Sequence, residues 1–296
     1  MTYSIVARDA ATGAMGVAVQ SHFLAAGRHV PWGRAGVGVV ATQATANLRY
    51  GTAGLALMAE GAAAAAALAA CLRQDDAAET RQVGILDAAG GTAAHTGSRC
   101  WQFAAHQAER DVSAQSNMVA GTDIPGAMVA AFRAASGDLA GRLLSALDAA
   151  QARGGDLRGV QSAAIIVVSG ERTPQPEDGV LLDIRVDDHH SPLTELRRIC
   201  GLHGAFGPML AAMRGPACRG PVRATPGEVE AALAAFRGAQ QVYGPQNLEP
   251  TFWRAVALAR AGRGGESDAL IASLAADNPG WAVLFRHVSA PAWAAG

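Results

Sequence analysis

The order of strand-like and helix-like segments is the feature of this sequence that most restricts its fold. Short apolar segments come in pairs near both ends of the first 190 residues, and longer Ala- and Leu-rich segments separate these pairs. Tyr3–Asp9 and Met15–Gln20 are joined by Ala11-Thr12-Gly13, a pattern that predicts a β-hairpin. Ser162–Ser169 and Val180–Val186 form a second pair across a turn that contains Pro, Glu and Gly. Hairpins at both ends favour antiparallel sheets over a Rossmann-type alternation of strands and helices.

The segments between the two hairpins complete the predicted fold. Apolar residues recur at helical spacing in the longer segments, whereas the shorter ones are β-branched or apolar runs. Strands are predicted at Val37–Gln43, Gln82–Asp87, Thr92–Thr96 and Val112–Val119, and helices at Thr52–Leu72, Ile124–Ala135 and Gly137–Arg153. This order predicts an α+β fold in which two facing sheets are covered by helices on both outer faces, a four-layer αββα sandwich.

The last hundred residues have a different, helical pattern. Ser191–Met213 reads as a helix with Pro at its first turn, and Thr225 with Glu228 forms a predicted capping box at the start of another helix. The stretch FWRAVALARAGRGGESDALIASLAADNPGW resembles one tetratricopeptide-type helix pair. We therefore expect a main domain over residues 1–200, a linker over 201–224 and a helical region over 225–296. Because one helix pair cannot close a core, this region must pack on the main domain, on a second subunit or on a partner protein, and we favour the first two.

The composition excludes several classes of function. Half of the residues are hydrophobic and the net charge is -1, so a large core can form and no overall field attracts nucleic acid or an anionic membrane. The sequence contains no Lys, which removes side-chain amine chemistry such as Schiff-base formation. The N-terminus lacks a secretory signal pattern, and no run of about 20 apolar residues is free of charge or glycine. We expect a cytoplasmic protein without a nucleic-acid or membrane partner.

The N-terminal residues are similar to those of a known family. MTYSIVARDAATGAMGVAVQSHFLAAGRHVPWGRAGVGVVATQATANLRYG resembles the DUF1028 family, and RQVGILDAAGGTAAHTG, AQSNMVAG and DIRVDDHHSPLTELRR continue the match in order over roughly residues 1–200. The resemblance implies an Ntn-hydrolase-like αββα domain that acts without a cofactor on the C–N bond of a small amide-like molecule. The alternative is a non-catalytic binding protein that keeps this fold. Sandwiches of this type often associate through their outer helices, which suggests a homo-oligomer, most simply a dimer.

The same resemblance implies a nucleophile at the start of the chain. Ntn hydrolases attack a carbonyl with an N-terminal Thr, Ser or Cys, and the α-amine of that residue takes the proton. Here this residue is Thr2 once Met1 is removed, and an α-amine with a pKa of about 7.7–8.0 is partly unprotonated near neutral pH. Ser21 and His22 follow the second strand, near the nucleophile in this fold. Relatives often have Lys at the position of His22. The alternative interpretation of His22 is an ordinary loop histidine that is exposed or merely packed.

Amide side chains supply the candidate binding residues of the first half. Gln43 and Asn47 flank a loop after the third predicted strand, where they suit a polar substrate or an oxyanion, although Asn47 also suits loop capping. Tyr50 follows and either covers a pocket or packs in the core. Gln115 and Asn117 alternate with apolar neighbours on a predicted strand, a pattern typical of a pocket lining or a buried hydrogen-bond network. Asn117 is also a candidate donor to the oxyanion.

The final predicted strands end in a group of charged residues. Gln161 opens one strand, and the run DIRVDDHH ends the other, with Arg185 and Asp187 as candidate substrate contacts. Asp and His can bind a metal, but adjacent strand residues point to opposite faces. A buried Asp183–Arg185 ion pair, with Asp187 and Asp188 capping the next helix, explains the run without a metal, and we predict none.

Overall fold

The computed structural model describes residues 2–220 and 222–288. Within them the chain divides after Arg198 into an N-terminal unit and a C-terminal unit. No described helix combines the length and the apolarity that crossing a membrane requires.

Two antiparallel sheets form the centre of the N-terminal unit, which confirms the predicted α+β class. The described strands are β1 (Thr2–Arg8), β2 (Met15–Ser21), β3 (Pro31–Arg34), β4 (Gly38–Ala44), β5 (Arg81–Asp87), β6 (Thr92–Thr96), β7 (Ala105–Glu109), β8 (Val112–Asn117), β9 (Ser162–Val168) and β10 (Val180–Val186). One sheet has the order β10-β9-β2-β1-β8-β7 and the other β3-β4-β5-β6. Both predicted hairpins, β1 with β2 and β9 with β10, pair antiparallel.

Helices cover the outer face of each sheet. Helices α1 (Arg49–Ala59) and α2 (Ala64–Arg73) pack on the four-stranded sheet, and α3 (Ile124–Ala134) and α4 (Leu139–Ala152) pack on the six-stranded sheet. The sequence predicted a single helix over Thr52–Leu72, which is wrong. Gly61 adopts a φ of 99° between α1 and α2, and this left-handed conformation ends the first helix.

The inner faces of the two sheets enclose an apolar core. Val6, Val17, Val39, Leu86 and Ile166 belong to one cluster of buried side chains that joins strands of both sheets. Alternation along β1 also brings Thr2 and Ser4 to this inner side, toward the start of the strand. The space between the sheets is therefore apolar over much of its length and polar at the end where β1 begins.

A buried hydrogen-bond network fills the polar end. Ser4 donates to Gln43 Oε1 at 2.7 Å, and Gln115 Nε2 donates to Ser4 Oγ at 2.7 Å. Gln43 Nε2 donates to Gln82 Oε1 at 2.7 Å, and Asn117 Nδ2 donates to the same oxygen at 3.0 Å. All five residues are fully or almost fully buried. These bonds connect β1 and β8 of one sheet to β4 and β5 of the other.

The C-terminal unit has its own helical core. Its described helices are α5 (Pro192–Arg214), which contains the boundary at Arg198, α6 (Pro226–Tyr243), α7 (Glu249–Arg260), α8 (Gly264–Asp277) and α9 (Gly280–Val288). Phe236 and Phe252 are buried within a shared apolar cluster, so more than the predicted helix pair closes this core. The predicted capping box of Thr225 and Glu228 is confirmed. Residues 201–214 of the predicted linker are helical, while Pro221 and residues 289–296 lie outside the described residues.

The network predicts a difference between two buried glutamines. Gln82→Met removes Oε1, which accepts from Gln43 and Asn117, and Nε2, which donates to Ser116 O at 2.9 Å. We expect the free energy of unfolding to fall by roughly 3 kcal/mol, because each stranded buried group costs about 1–3 kcal/mol. Gln20→Met is the matched control, since neither polar atom of this buried side chain has a described partner. Equal losses in urea unfolding of the two variants would contradict the proposed importance of the network.

Candidate functional site

Thr2 begins the strand at the centre of the six-stranded sheet. It lies opposite Ser21 of β2 on one side and Asn117 of β8 on the other. Its hydroxyl is 2.9 Å from Ser21 Oγ, and only 7% of the residue is exposed. Central strands are held by hydrogen bonds on both edges, so the Thr2 hydroxyl is placed by rigid structure rather than by a loop.

A pocket of about 490 Å³ opens above Thr2. Its walls combine strand ends, the segment after β2, the segment after β4 and the segment before β7. The lining residues are Thr2, Ser21, Phe23, Ala26, His29, Val30, Gln43, Ala44, Ala46, Trp101, Asn117, Met118 and Arg158. Four hydroxyl or amide side chains and a guanidinium thus meet aliphatic and aromatic surface, the composition expected of a small-molecule site.

The network fixes the orientation of the Asn117 amide. Gln82 Nε2 donates to Thr96 Oγ1, Ala105 O and Ser116 O at 3.0, 3.2 and 2.9 Å, so Gln82 must present its oxygen to Asn117. Asn117 therefore donates through Nδ2, and its buried Oδ1 has no described hydrogen-bond partner. Because Nδ2 carries a second N–H beside the one bonded to Gln82, the side chain retains one acceptor and one donor.

Arg158 is held by a buried carboxylate. Asp156 is 4% exposed and accepts from Arg158 Nη2 at 3.2 Å, from the Arg158 backbone N–H at 2.9 Å and from the His22 backbone N–H at 2.8 Å. The side chain of Arg158 itself stays 36% exposed. This arrangement orients a cation toward the pocket, since a buried carboxylate with several donors holds its partners firmly.

Backbone strain is concentrated around the same pocket. Among the described residues other than glycine, a positive φ occurs at Ala25, Ala44, Phe103, Asp111 and Met118. Ala44 and Met118 line the pocket, and Ala25 and Phe103 are within two residues of lining positions. Left-handed backbone at a side-chain-bearing residue costs about 1–3 kcal/mol and is characteristic of functional sites.

Several predicted site residues lie away from the pocket. Gln115 lies behind the lining, in the network with Ser4. Asn47 and Tyr50 line a separate small depression. Asn47 Nδ2 donates to Asp75 Oδ2 at 3.1 Å, as Arg81 Nε does at 2.8 Å. These contacts hold the loop after β4 in place.

The candidates beside β9 and β10 also lie outside the lining. His22 Nδ1 is 3.3 Å from Val160 O, so its ring contacts the segment that precedes β9. Gln161 Nε2 donates to Asp188 Oδ1 at 3.1 Å. The sequence predicted instead that Asp188 caps the next helix. Arg185 pairs with Asp183 at 3.1 Å, but both side chains are more than a third exposed, so the predicted buried ion pair is wrong. Asp187 is exposed, and its backbone carbonyl accepts from Ala25 N at 2.9 Å.

The sequence reasoning missed Phe23, His29, Trp101, Asp156 and Arg158. Asp156 and Arg158 belong to the segment GGDLRG, which reads as a turn because of its glycines. An Asp-x-Arg pair inside a Gly-rich turn was the available signal, since such a turn otherwise requires no charge pair. No cluster of three or more His, Cys, Asp or Glu suited to a metal occurs among the described residues.

Comparisons with known proteins agree with the sequence resemblance. The model of a family of unknown function, DUF1028, matches residues 2–196. The crystal structure of a DUF1028 protein from Silicibacter pomeroyi is similar, with a TM-score of 0.60 and 29% sequence identity over 72% of this chain and 90% of that chain. No curated protein matches the chain significantly.

The loop anchor at Asp75 predicts a pH-dependent stability. The Arg81 guanidinium holds the pKa of Asp75 below its ordinary value of 3.8. Because this pKa is lower in the folded than in the unfolded state, the ionised carboxylate stabilises the folded state when the pH is above the unfolded-state pKa. This stabilisation is lost as the pH falls below about 4. We expect Asp75→Asn to unfold more easily than the wild type at pH 7, with the difference shrinking below pH 4.

Urea unfolding at several pH values measures this effect. Asp76→Asn is the control, because it removes the same charge from the exposed neighbouring position and should change stability by less than about 0.5 kcal/mol. A difference between wild type and Asp75→Asn that is the same at pH 3 and pH 7 would show that the ion pair is not the source of the stabilisation.

Proposed function

The chain belongs to the DUF1028 family, and from that premise we propose that its N-terminal unit is an Ntn-type αββα hydrolase of small amides. The observation that carries the proposal is the position of Thr2. Its hydroxyl contacts Ser21 Oγ at 2.9 Å and lines a pocket of about 490 Å³. A nucleophile there is both sheltered and reachable by a small molecule.

The layer order supports the same fold type. Helices α1 and α2 cover one sheet, α3 and α4 cover the other, and the two sheets face each other. In the proposed fold type the nucleophile begins a strand of one sheet and points between the two sheets. Thr2 begins β1 and lies on the face that carries Ser4 and Val6 toward the opposing sheet.

The proposed reaction proceeds in two steps after Met1 has been removed. The Thr2 α-amine takes the proton of Oγ1 as Oγ1 bonds to the amide carbonyl carbon. The C–N bond then breaks, the amine carries the proton to the leaving nitrogen, and an ester to Thr2 remains. Water attacks this ester, the amine again moves the proton, and the acid product leaves with Oγ1 restored. Met1 lies outside the described residues.

The neighbours of Thr2 have separate roles in this mechanism. Ser21 Oγ steadies the Thr2 hydroxyl through their 2.9 Å contact. Asn117 Oδ1 accepts from the α-amine or from the substrate N–H, because it has no described partner. The oxyanion accepts from the second N–H of Asn117 Nδ2 or from a backbone N–H of the pocket wall, and losing such a donor costs about a hundredfold in rate or more.

A non-catalytic binding protein is the second candidate. It is favoured by one observation, the placement of His22 outside the pocket lining at a position where relatives often have Lys. In this case the pocket binds a ligand of the same kind and the chain retains Met1 or lacks turnover. The two candidates differ in the state of the N-terminus, which makes them separable.

Thr2→Ala is the decisive variant for catalysis. We expect it to abolish hydrolysis across a panel of amides, cyclic imides and N-acylated amino acids, because Thr2 Oγ1 is the attacking oxygen of the proposed mechanism. Thr92→Ala is the matched control, since Thr92 of β6 donates through Oγ1 to Glu109 O of β7 and does not line the pocket. Full hydrolysis by Thr2→Ala on any substrate of the wild type would refute the assignment.

Intact-mass measurement of the untagged N-terminus tests the premise of the mechanism. We expect the mass of the chain without Met1, because Thr is small enough to permit Met removal. A preparation that retains Met1 throughout and still hydrolyses the substrate would exclude the α-amine of Thr2 as the base. Retained Met1 with binding but no turnover would support the binding-protein candidate.

A further inference from the structure

The charge in the pocket lining is positive. Among the lining residues, Arg158 carries a permanent positive charge and none is acidic. The carboxylate that balances Arg158 is that of Asp156, whose side chain is fully buried behind it. A ligand in the pocket therefore meets the guanidinium and not its counter-ion.

The rest of the lining is apolar and aromatic near the surface. Phe23 is 54% exposed and Trp101 is 68% exposed, and both line the pocket. The ring of His29 meets that of Phe23 edge-on at 5.8 Å. Exposed aromatic side chains that border a concave site are typical of contacts with an apolar or planar part of a ligand.

From these two features, and on the basis of the proposed function, we propose that the substrate is a carboxylate-bearing amide with an apolar or aromatic acyl group. Arg158 binds the carboxylate, and Phe23 and Trp101 contact the acyl group. An N-acyl amino acid has this chemistry. The preorganisation of Arg158 by Asp156 makes the contact specific, because a planar guanidinium held in place matches a carboxylate in geometry as well as charge.

Two probes isolate the carboxylate. N-benzoylglycine carries the charge, and N-benzoylglycinamide has the same shape without it. We expect calorimetric titration of Thr2→Ala protein to show binding of N-benzoylglycine tighter by about tenfold or more, the effect of one charged hydrogen-bonded contact. Use of Thr2→Ala prevents turnover during the measurement.

Variants at the charge pair identify the source of this preference. Arg158→Met alone strands the buried Asp156 carboxylate and endangers folding, so the double variant Arg158→Met/Asp156→Asn removes both charges together. We expect the double variant, also made on Thr2→Ala, to bind the two probes within about twofold of each other. Arg28→Met is the control, because this exposed arginine is next to His29 and does not line the pocket.

The outcomes separate this inference from the proposed function. Equal binding of the two probes, binding of neither, or a preference that survives in the double variant overturns the carboxylate site. Hydrolysis of N-benzoylglycine by wild type and Thr2→Ala alike, with the preference intact, overturns the Thr2 mechanism and leaves the carboxylate site standing. Trp101→Ser should weaken both probes to the same extent, and an effect on only one of them would contradict the assigned contact with the acyl group.

Discussion

The buried amide network between the two sheets is the interaction on which the pocket depends. An amide side chain has one donor end and one acceptor end, so each bond in a connected network fixes the next. The three acceptors around Gln82 Nε2 fix Gln82, and Gln82 Oε1 then fixes Gln43 and Asn117. The network also requires glycine at position 84, because a Cβ there would lie 2.1 Å from Gln115 Oε1 and would displace this side chain. The orientation of the Asn117 amide is thus decided on the opposite sheet.

The requirement that buried polar groups be paired also fixes the charge in the pocket. A buried carboxylate needs compensating donors, and Asp156 obtains them from Arg158 and from the His22 backbone. These bonds connect the segment between α4 and β9 to the residue that follows β2. They leave the guanidinium of Arg158 partly exposed. The pair therefore has a structural role and also gives the lining its cation. A surface arginine without a buried partner would gain little stability and would have no fixed direction.

The sequence predicted the strands that are hydrophobic and failed where tertiary contacts decide. β1, β2, β9 and β10 were recognised because apolar runs and turn residues are local signals. β7 was missed because its exposed and half-buried residues, AHQAE, carry no apolar pattern. Gln115 and Asn117, two positions apart on a predicted strand, did indicate a pocket lining or a buried hydrogen-bond network, and both lie in the network. Arg158 could not be placed from the sequence, because its position depends on the buried Asp156. The carboxylate of Asp156 is held by the His22 backbone N–H, which is 134 residues away in the chain.

The strained residues connect the network to the shape of the pocket. Ala44 directly follows Gln43, and Met118 directly follows Asn117, so each left-handed residue comes immediately after a network member. At both points the chain leaves its sheet and turns into a wall of the pocket. Strain of about 1–3 kcal/mol at such a residue persists only where the surrounding structure determines the backbone. The buried amides supply that determination, because releasing either turn would disturb a hydrogen bond that links the two sheets. A pocket built in this way is preformed, so a ligand does not have to offset the cost of ordering its walls.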